Sequence, residues 1–552
     1  MRHAAALLAL LWLLLVLSAP PREVFASPPH LVVLLIGDQF RYDYLTRFRQ
    51  FYSGGLRYLL DRGAVFTDAH VGHAQTQTAP GHASLVTGAH PARHGIVANA
   101  WYDRKAGRRV SAVEDARHRI LGKPEGSGGI SPGQIEVLTI GDQLRLDTGF
   151  RSRVFAIAHK DRSAVLSGGR LATAAYWWDL DTGWMVTSEY YLKEYPGWVS
   201  AFNDRRLPQR FFGTSWTPRG PPNLYQSLRE TTAFLKDYSG LGTAFPHPLT
   251  GNLTAPGPKF HEALLATPFA NELLLEFTKA AIAGEQLGLG PGPDLLIVSF
   301  SAIDHVGHVF GPDSGELLDT ILRLDQQLAD LIAFLGERLD LSRVLLVFTS
   351  DHGVAPIPET LGRGGLGGRV GGSLRQVIEA GLARRFGPGN WIEAWLPPQV
   401  YLNRELARAR RIDPVHLDME VSTLALSHPG VARVYTRRSL EGGLPGEQDP
   451  WFIRFARGFD PERSGDLLIL LKPFWLFSLG KGTSHGSPYG YDSHVPLILS
   501  GPGIRPGVYH QPAQIVDLAP TLAALLGVEF PTPREGRVLA EALSSLPFRR
   551  DR

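Results

Sequence analysis

The chain has 552 residues, of which 44% are hydrophobic and 20% are charged, so it can bury a large core and is not a disordered protein. Its 56 basic and 53 acidic residues nearly cancel to a net charge of +3, and this balance gives no reason to expect a nucleic-acid partner. The absence of cysteine excludes disulfides, thiolate metal ligands and a cysteine nucleophile, so any metal must be held by histidines and carboxylates.

The first 26 residues have the pattern of a signal peptide. Arg2 and His3 precede an apolar run over residues 4–17, and the small residue Ala26 offers a cleavage site. The run is about 14 residues long, which is short of the roughly 20 that a membrane-spanning helix needs. An uncleaved membrane anchor is the alternative. We expect residues 27–552 to be exported to the periplasm or the medium, with no stable membrane span after cleavage.

Three apolar, β-branched runs, at residues 30–38, 294–304 and 343–352, predict the strands of a sheet. Their near-continuous hydrophobicity is typical of strands that are covered on both faces, as in a parallel sheet. Residues 314–339 are apolar at helical spacing and predict a helix between the second and third strands. A strand at 494–501 and a helix at 513–527 follow. The predicted fold class is therefore α/β.

Three segments are expected to lie outside this framework. Residues 353–373 are rich in glycine and proline and predict an irregular loop. Residues 170–290, approximately, are rich in Trp, Tyr, Pro and Gly, and residues 374–480, approximately, alternate short helices and strands without any cluster of metal-ligand type. We interpret both of these longer segments as insertions and call the second one the cap.

Three aspartates and three histidines stand at or after the ends of predicted strands: Asp38 after the first, Asp304 and His308 after the second, Asp351 and His352 after the third, and His485 in the later loop GTSHGSPYG. A lone aspartate at a strand end is more often a helix cap or turn residue, and a lone histidine more often lies on the surface or in the core. The combination favours a site, because ligands bind outside the carboxyl ends of the strands in open parallel sheets. Three Asp and three His can hold two divalent ions with three protein ligands and an open position each, which is the pattern of catalytic zinc.

A separate motif surrounds Thr78. The stretch TQTAPGHASLVTGAHPARHGIVANAW, residues 76–101, contains no acidic residue and no lysine, and Thr78 stands just ahead of a Pro-Gly turn. One interpretation is a helix start followed by a surface loop. The other is a nucleophile whose base lies elsewhere in the chain.

Together these motifs resemble the alkaline phosphatase superfamily over almost all of the mature chain, from Asp38 to Leu526. The resemblance implies a three-layer sandwich with a mostly parallel central sheet and inserted cap segments. It also implies that Thr78 is a nucleophile deprotonated by a zinc ion, because a bound metal lowers the pKa of an oxygen acid. The ligand sets implied for the two Zn²⁺ ions are Asp304, His308 and His485 for one, and Asp38, Asp351 and His352 for the other.

The branch of the superfamily is indicated by two further motifs. TAPGHAS followed by HGIVANAW is similar both to the nucleotide pyrophosphatases/phosphodiesterases and to the Thr-dependent alkaline phosphatases, in which Asn99 would donate a hydrogen bond to a phosphoryl oxygen. In HKDRSAV, Lys160 and Arg162 match the Lys-x-Arg pair of the phosphomonoesterase branch, and from an extended segment both would point the same way. Sulfatase-type chemistry is excluded, because residues 78–82 read TAPGH instead of Cys/Ser-x-Pro-x-Arg.

We therefore predict an exported two-zinc phosphatase that hydrolyses small phosphate monoesters through a covalent phosphothreonine. A phosphodiesterase or nucleotide pyrophosphatase on the same scaffold is the alternative. A non-catalytic periplasmic phosphate-ligand binder is a third hypothesis, which the complete ligand set and Thr78 disfavour. The other histidines near Thr78, namely His73, His82 and His94, are expected to have loop and helix-packing roles.

Overall fold

The structure is a computed structural model that describes residues 28–544 except for 125, 222–223, 226–233, 362–365, 443–448, 479 and 531–533. The predicted signal peptide lies outside the described residues. Within them, every helix is too short or too polar to cross a bilayer.

A nine-stranded sheet forms the centre of the described residues. In spatial order its strands are Met185–Val186, Ala174–Trp178, Val154–Ala158, Asp294–Phe300, Leu31–Gly37, Val344–Thr349, Leu497–Ser500, Ala64–Phe66 and Gly507–Tyr509. The five strands from Ala174–Trp178 to Val344–Thr349 are mutually parallel. Leu497–Ser500 is antiparallel to both of its neighbours, and Met185–Val186 is antiparallel at the other edge. The prediction of a mostly parallel central sheet is confirmed.

The strand Leu31–Gly37 shows why the sheet has two covered faces. All seven of its residues are buried, and alternate side chains enter two different hydrophobic cores. Leu31, Val33 and Leu35 belong to one core, while the residues between them belong to the other. A strand of this kind needs apolar side chains on both faces, which is why its sequence is a continuous apolar run.

Helices cover each face and complete the three layers. The face of Leu31 is covered by Gly55–Arg62, Gly197–Asp204, Pro258–Leu265, Pro268–Gly284, Ala302–Phe310 and Gly315–Gly336. The opposite face is covered by Thr78–Thr87, Ile140–Asp147, Asp161–Gly168 and Leu518–Leu526. The helix predicted at 314–339 is confirmed as Gly315–Gly336.

Two predicted elements have different bounds in the structure. The helix expected at 513–527 begins only at Leu518, because residues 513–514 pair as a strand with Ala69–His70 and residues 515–517 form a 3₁₀ turn. The strand expected at 494–501 is Leu497–Ser500 and so begins after Pro496, which has no N–H to donate to a sheet ladder.

The cap has its own antiparallel sheet and its own hydrophobic core. Its strands lie in the order Ile392–Leu396, Gln399–Leu402, Leu467–Leu471 and Val431–Thr436. The helices Ser373–Phe386 and Pro414–Leu426 contribute to the same core. The segment 170–290 is different: its first strand, Ala174–Trp178, lies in the central sheet, and its helices pack in the core of Leu31.

Candidate active site

The helix Thr78–Thr87 places Thr78 at its first residue, beside the end of the strand Val344–Thr349. Gly81 permits this close approach, because a Cβ atom at that position would lie 2.5 Å from the carbonyl oxygen of Asp351. Thr78 is 1% exposed, and its Oγ1 lies 3.5 Å from Nε2 of His352. The motif does begin a helix, but its threonine faces a buried polar cluster instead of a surface loop.

The cluster brings together all six of the predicted metal ligands. Two groups of three side chains have ligand atoms within 4.8 Å of one another: Asp38, Asp351 and His352 in one, and Asp304, His352 and His485 in the other. The first group is the set expected from the sequence. In the second group His352 takes the position expected for His308, whose Nε2 lies 3.3 Å from Oδ1 of Asp304. His352 therefore lies between the two groups.

The three histidines are oriented alike by backbone carbonyls. Nδ1 of His352 donates to the carbonyl of Gly353 at 2.9 Å, and Nδ1 of His308 donates to that of Thr483 at 2.9 Å. Nδ1 of His485 donates to the carbonyl of Thr76 at 2.6 Å. Each bond fixes the ring and leaves the Nε2 lone pair directed at the cluster, which is the arrangement that metal-ligating histidines adopt.

The carboxylates of the cluster are buried with incomplete hydrogen bonding. Oδ1 of Asp38 and Oδ2 of Asp351 accept no hydrogen bond from the described residues. Burial and the nearby charge of Asp351 raise the pKa of Asp38 above its ordinary value. Burial also opposes ionisation of Asp304, but Lys160 and His308 outweigh it and hold its pKa well below the ordinary value. Free carboxylate oxygens next to oriented imidazoles are a donor set that fits divalent zinc.

Lys160 lies inside the cluster. Its Nζ is 2.7 Å from Oδ2 of Asp38, 2.6 Å from Oδ2 of Asp304 and 3.3 Å from Oγ1 of Thr78. Burial lowers its pKa, but the two carboxylates outweigh burial and raise the pKa above the ordinary value. The side chain is therefore an ammonium that touches the predicted nucleophile.

Arg162 is placed differently from the sequence prediction. The pair does not leave an extended segment: Lys160 is extended, with φ −99° and ψ 137°, but Arg162 lies in the first turn of the helix Asp161–Gly168. The chain turns into this helix directly after the strand Val154–Ala158. Within the described residues, Arg162 donates no hydrogen bond to Thr78 or to the six predicted ligands, yet its charge lowers the pKa of Lys160, and its buried Nε has no hydrogen-bond partner there.

Asn99 is held against the first turn of the helix Thr78–Thr87. Its Oδ1 accepts a hydrogen bond from the backbone N–H of Ala79 at 2.8 Å, and its own N–H donates to Oε1 of Gln77 at 2.9 Å. The carbonyl oxygen of the Asn99 amide therefore already accepts a hydrogen bond. Its Nδ2 group is the end that can donate to a ligand.

Gln39 joins the two ligand groups and was not identified from the sequence. Its backbone N–H donates to Oδ1 of Asp351 at 3.2 Å, and its Nε2 donates to Oδ1 of Asp304 at 2.7 Å. The residue has φ +69°, a conformation that is uncommon outside glycine. Gly307 makes room for it, since a Cβ there would lie 1.9 Å from Oε1 of Gln39.

His82 has contacts that go beyond the packing role expected from the sequence. Its Nδ1 lies 2.9 Å from the carbonyl of Thr78 and 3.1 Å from Oδ2 of Asp351, and its Nε2 lies 2.9 Å from Oγ of Ser299. The fully buried ring therefore lies between the helix Thr78–Thr87 and the carboxylate of Asp351. By contrast, His94 bonds to Ser84 of the same helix, as a packing role requires.

Comparisons with known proteins show which family the chain belongs to. The family model of the type I phosphodiesterases/nucleotide pyrophosphatases matches residues 32–492. Alkaline phosphatase PhoV of Synechococcus elongatus is 34% identical over 93% of this chain and 93% of its own. Alkaline phosphatase PafA of Elizabethkingia meningoseptica is 34% identical over 93% of this chain and 94% of its own.

Solved structures show that the fold is similar as well. The crystal structure of wild-type PafA matches with a TM-score of 0.85 and covers 94% of this chain and 99% of its own. A second PafA structure, of a variant with one threonine, one asparagine, one lysine and one arginine replaced, is 33% identical with the same TM-score and coverage. The chain belongs to the type I phosphodiesterase/nucleotide pyrophosphatase family and, within it, groups with the alkaline phosphatases. It is a phosphoric ester hydrolase, as the sequence predicted.

Proposed function

We propose that the protein is an exported phosphatase that transfers the phosphoryl group of a monoester to Thr78 and then to water, at a centre that holds two Zn²⁺ ions. The observation that carries this proposal is the convergence of one buried hydroxyl, three carboxylates and three imidazoles on the same few ångströms. A binder of phosphate ligands would not need the hydroxyl at the centre of the cluster.

The first step of the proposed reaction exchanges one oxygen–phosphorus bond for another. The Thr78 hydroxyl loses its proton to solvent, and the bond from its Oγ1 to phosphorus forms while the bond from phosphorus to the leaving oxygen breaks. The electron pair of that bond stays on the leaving oxygen, which takes up a proton from water. Water then attacks the phosphothreonine and releases inorganic phosphate and the Thr78 hydroxyl. When bound, the two Zn²⁺ ions supply a lowered pKa for the attacking oxygen and positive charge for the leaving oxygen.

The protein side chains bind the phosphoryl group in this proposal. Asn99 has its Nδ2 group available as a donor, since its Oδ1 is bonded to Ala79. Lys160 brings an ammonium to within 3.3 Å of Oγ1 of Thr78, and Arg162 adds a second cation nearby. The replaced threonine and asparagine in the PafA variant are 21 positions apart, as are Thr78 and Asn99, and its lysine and arginine are two apart, as are Lys160 and Arg162.

The pair of cations favours monoesters over diesters. A monoester is a dianion and a diester is a monoanion, so one additional negative charge distinguishes them. A cation about 4 Å from that charge contributes on the order of 4 kcal/mol at an effective dielectric constant near 20, and water reduces this value. Phosphodiester or nucleotide pyrophosphate hydrolysis remains the alternative, because the matching family model is named for it.

Steady-state kinetics on an aryl monoester and an aryl diester test the proposal. We expect wild-type enzyme to prefer the monoester, and we expect Lys160→Ala/Arg162→Ala to lower kcat/KM for the monoester by at least about a hundredfold, with a much smaller loss for the diester. The matched control is Lys105→Ala/Arg108→Ala, which removes the same charge from exposed positions of the hairpin that joins Ala100–Asp103 to Arg108–Ser111. A wild-type preference for diesters would overturn the monoesterase assignment, and equal losses on both substrates would show that the pair has only a structural role.

Export is part of the same proposal and rests on the N-terminal pattern around Ala26. Expression of the full chain in a bacterium, followed by fractionation and N-terminal sequencing, should yield a periplasmic or secreted protein that begins near Ser27. A full-length chain in the membrane fraction would favour the anchor instead.

A further inference from the structure

A cavity of about 260 Å³ lies between the candidate active site and the cap. Its two sides differ in chemistry. The side formed by the catalytic framework is mostly polar and includes Gln77, His485 and Ser487. The side formed by the cap is mostly apolar and includes Pro397, Pro398, Ile469, Leu471, Trp475 and Phe477.

The polar side of the cavity shares His485 with the candidate reaction centre. Gln77 directly precedes Thr78 and accepts a hydrogen bond from the N–H of Asn99. His485 lies 3.6 Å, measured from its Nε2, from Oδ1 of Asp304, and it belongs to the ligand group that does not include Asp38. The cavity therefore lies next to the place where a phosphoryl group in contact with Thr78 would be bound.

The apolar side is preformed. Ile469 and Leu471 lie on the strand Leu467–Leu471 and are almost completely buried. Trp475 fits a slot made by two glycines, because a Cβ atom at Gly430 or Gly368 would lie 2.3 Å or 2.8 Å from its ring. Most small-molecule sites combine a largely preformed apolar wall with a few polar groups in this way.

We propose that this cavity holds the leaving group, and that the preferred substrates are phosphate monoesters of apolar, ring-bearing alcohols or phenols. In-line displacement places the leaving oxygen opposite the attacking one, so the organic part of the ester points away from Thr78. The cap then acts as the specificity element of the enzyme. The inference rests on the proposed function and adds to it a substrate class and a role for residues 374–480.

Phe477 offers a direct test, with Phe386 as its matched control. Both are half-buried phenylalanines packed on the core of the cap, but only Phe477 lines the cavity. We expect Phe477→Ala to lower kcat/KM for phenyl phosphate by about tenfold and for methyl phosphate by less than twofold, whereas Phe386→Ala should change neither by more than about twofold. Comparing each variant with wild type removes the intrinsic difference in leaving-group reactivity.

A second variant and a binding measurement keep the test independent of folding and turnover. Ser478→Trp places a bulky ring at a residue that lines the cavity, and it should weaken phenyl phosphate turnover while sparing methyl phosphate. Calorimetry with zinc-loaded enzyme should show that phenylphosphonate binds more tightly than methylphosphonate, and that Phe477→Ala removes most of this difference.

The outcomes separate this inference from the proposed function. If neither monoester is hydrolysed, the proposed function fails. If both are hydrolysed and Phe477→Ala reduces them equally, or behaves as Phe386→Ala does, the leaving group lies elsewhere and only the cavity assignment is overturned.

Discussion

Gln39 is a single uncharged residue that hydrogen-bonds to both candidate ligand groups. It donates one hydrogen bond to Asp351 and one to Asp304, which are ligands of different groups. These bonds fix the carboxylates in position and direct their remaining oxygens. Partners of this kind around a metal site contribute to its affinity without touching the ion.

We expect Gln39→Ala to weaken zinc binding by about 10- to 100-fold, because both carboxylates lose a fixed donor. Competition with a chromogenic chelator measures this affinity directly. Gln327→Ala is the control, since Gln327 is also buried and donates to a backbone carbonyl, that of Pro268, outside the cluster. Unchanged zinc affinity in Gln39→Ala, together with a loss of stability equal to that of the control, would leave Gln39 with a packing role only.

At the scale of elements, the cap helix Pro414–Leu426 carries a buried acidic group. Burial raises the pKa of Asp418 to about 6, and Arg404 only partly compensates. The folded state therefore binds this proton more tightly than the unfolded state, whose pKa is close to the ordinary value. Stability is lost as the pH rises through the interval between the two values, and the penalty is complete above about pH 6.

Asp418→Asn should remove that penalty. We expect the free energy of unfolding to rise by up to about 3 kcal/mol at pH 8 and to change little at pH 3, where the aspartate is neutral in both states. Urea unfolding at several pH values measures it. Asp413→Asn is the control, because it removes the same charge from the N-cap of the same helix while keeping a capping side chain. A gain that does not depend on pH would contradict the assignment.

The elements that the sequence could predict are those with a continuous local signal. Leu31–Gly37 and Val344–Thr349 are uninterrupted apolar runs, so the sequence itself predicts that both faces of each strand are buried. Ala174–Trp178 is also fully buried in the sheet. Its aromatic composition is the same as that of the surrounding segment, and this composition led us to predict an insertion there instead of a central strand. No side chain caps the start of the helix Asp161–Gly168, so the sequence gives no local signal that a helix begins there.

Some residues of the candidate site could be predicted from the sequence, and others could not. Its six ligands follow strands or lie in a glycine-rich loop, where spacing and residue type are sufficient to propose them. Gln39 and His82 act through partners far along the chain, 265 residues in the case of Gln39 and Asp304. Only tertiary structure brings such pairs together, and neither residue belongs to a metal-ligand pattern that would single it out.

For the whole molecule, buried negative charge is concentrated at the candidate site, and we expect the stability of the fold to depend on bound metal. Asp38, Asp304 and Asp351 are buried together, with Lys160 as the cation in direct contact with two of them. A ligand that binds only the folded state stabilises it by about 4 kcal/mol at a concentration about 1,000 times its Kd. We expect chelation to abolish activity and lower Tm, and Zn²⁺ to restore both.

Elemental analysis of the purified enzyme should give about two zinc ions per chain, held by the two groups of ligands. His485→Ala should lower this number to about one, because it removes a ligand from one group and leaves the other complete. Full activity and an unchanged Tm in metal-free protein would contradict a metal centre at this site.

Trapping the phosphoenzyme is the most direct test of catalysis through Thr78. The enzyme is mixed with an aryl phosphate, quenched in acid within the first turnover and digested for mass spectrometry. We expect one phosphoryl group on the peptide that contains residues 76–101, located at Thr78, and no phosphorylation in Thr78→Ala, which should still bind inorganic phosphate. Phosphate on a different residue, or undiminished turnover in Thr78→Ala, would contradict the assignment of Thr78 as the nucleophile.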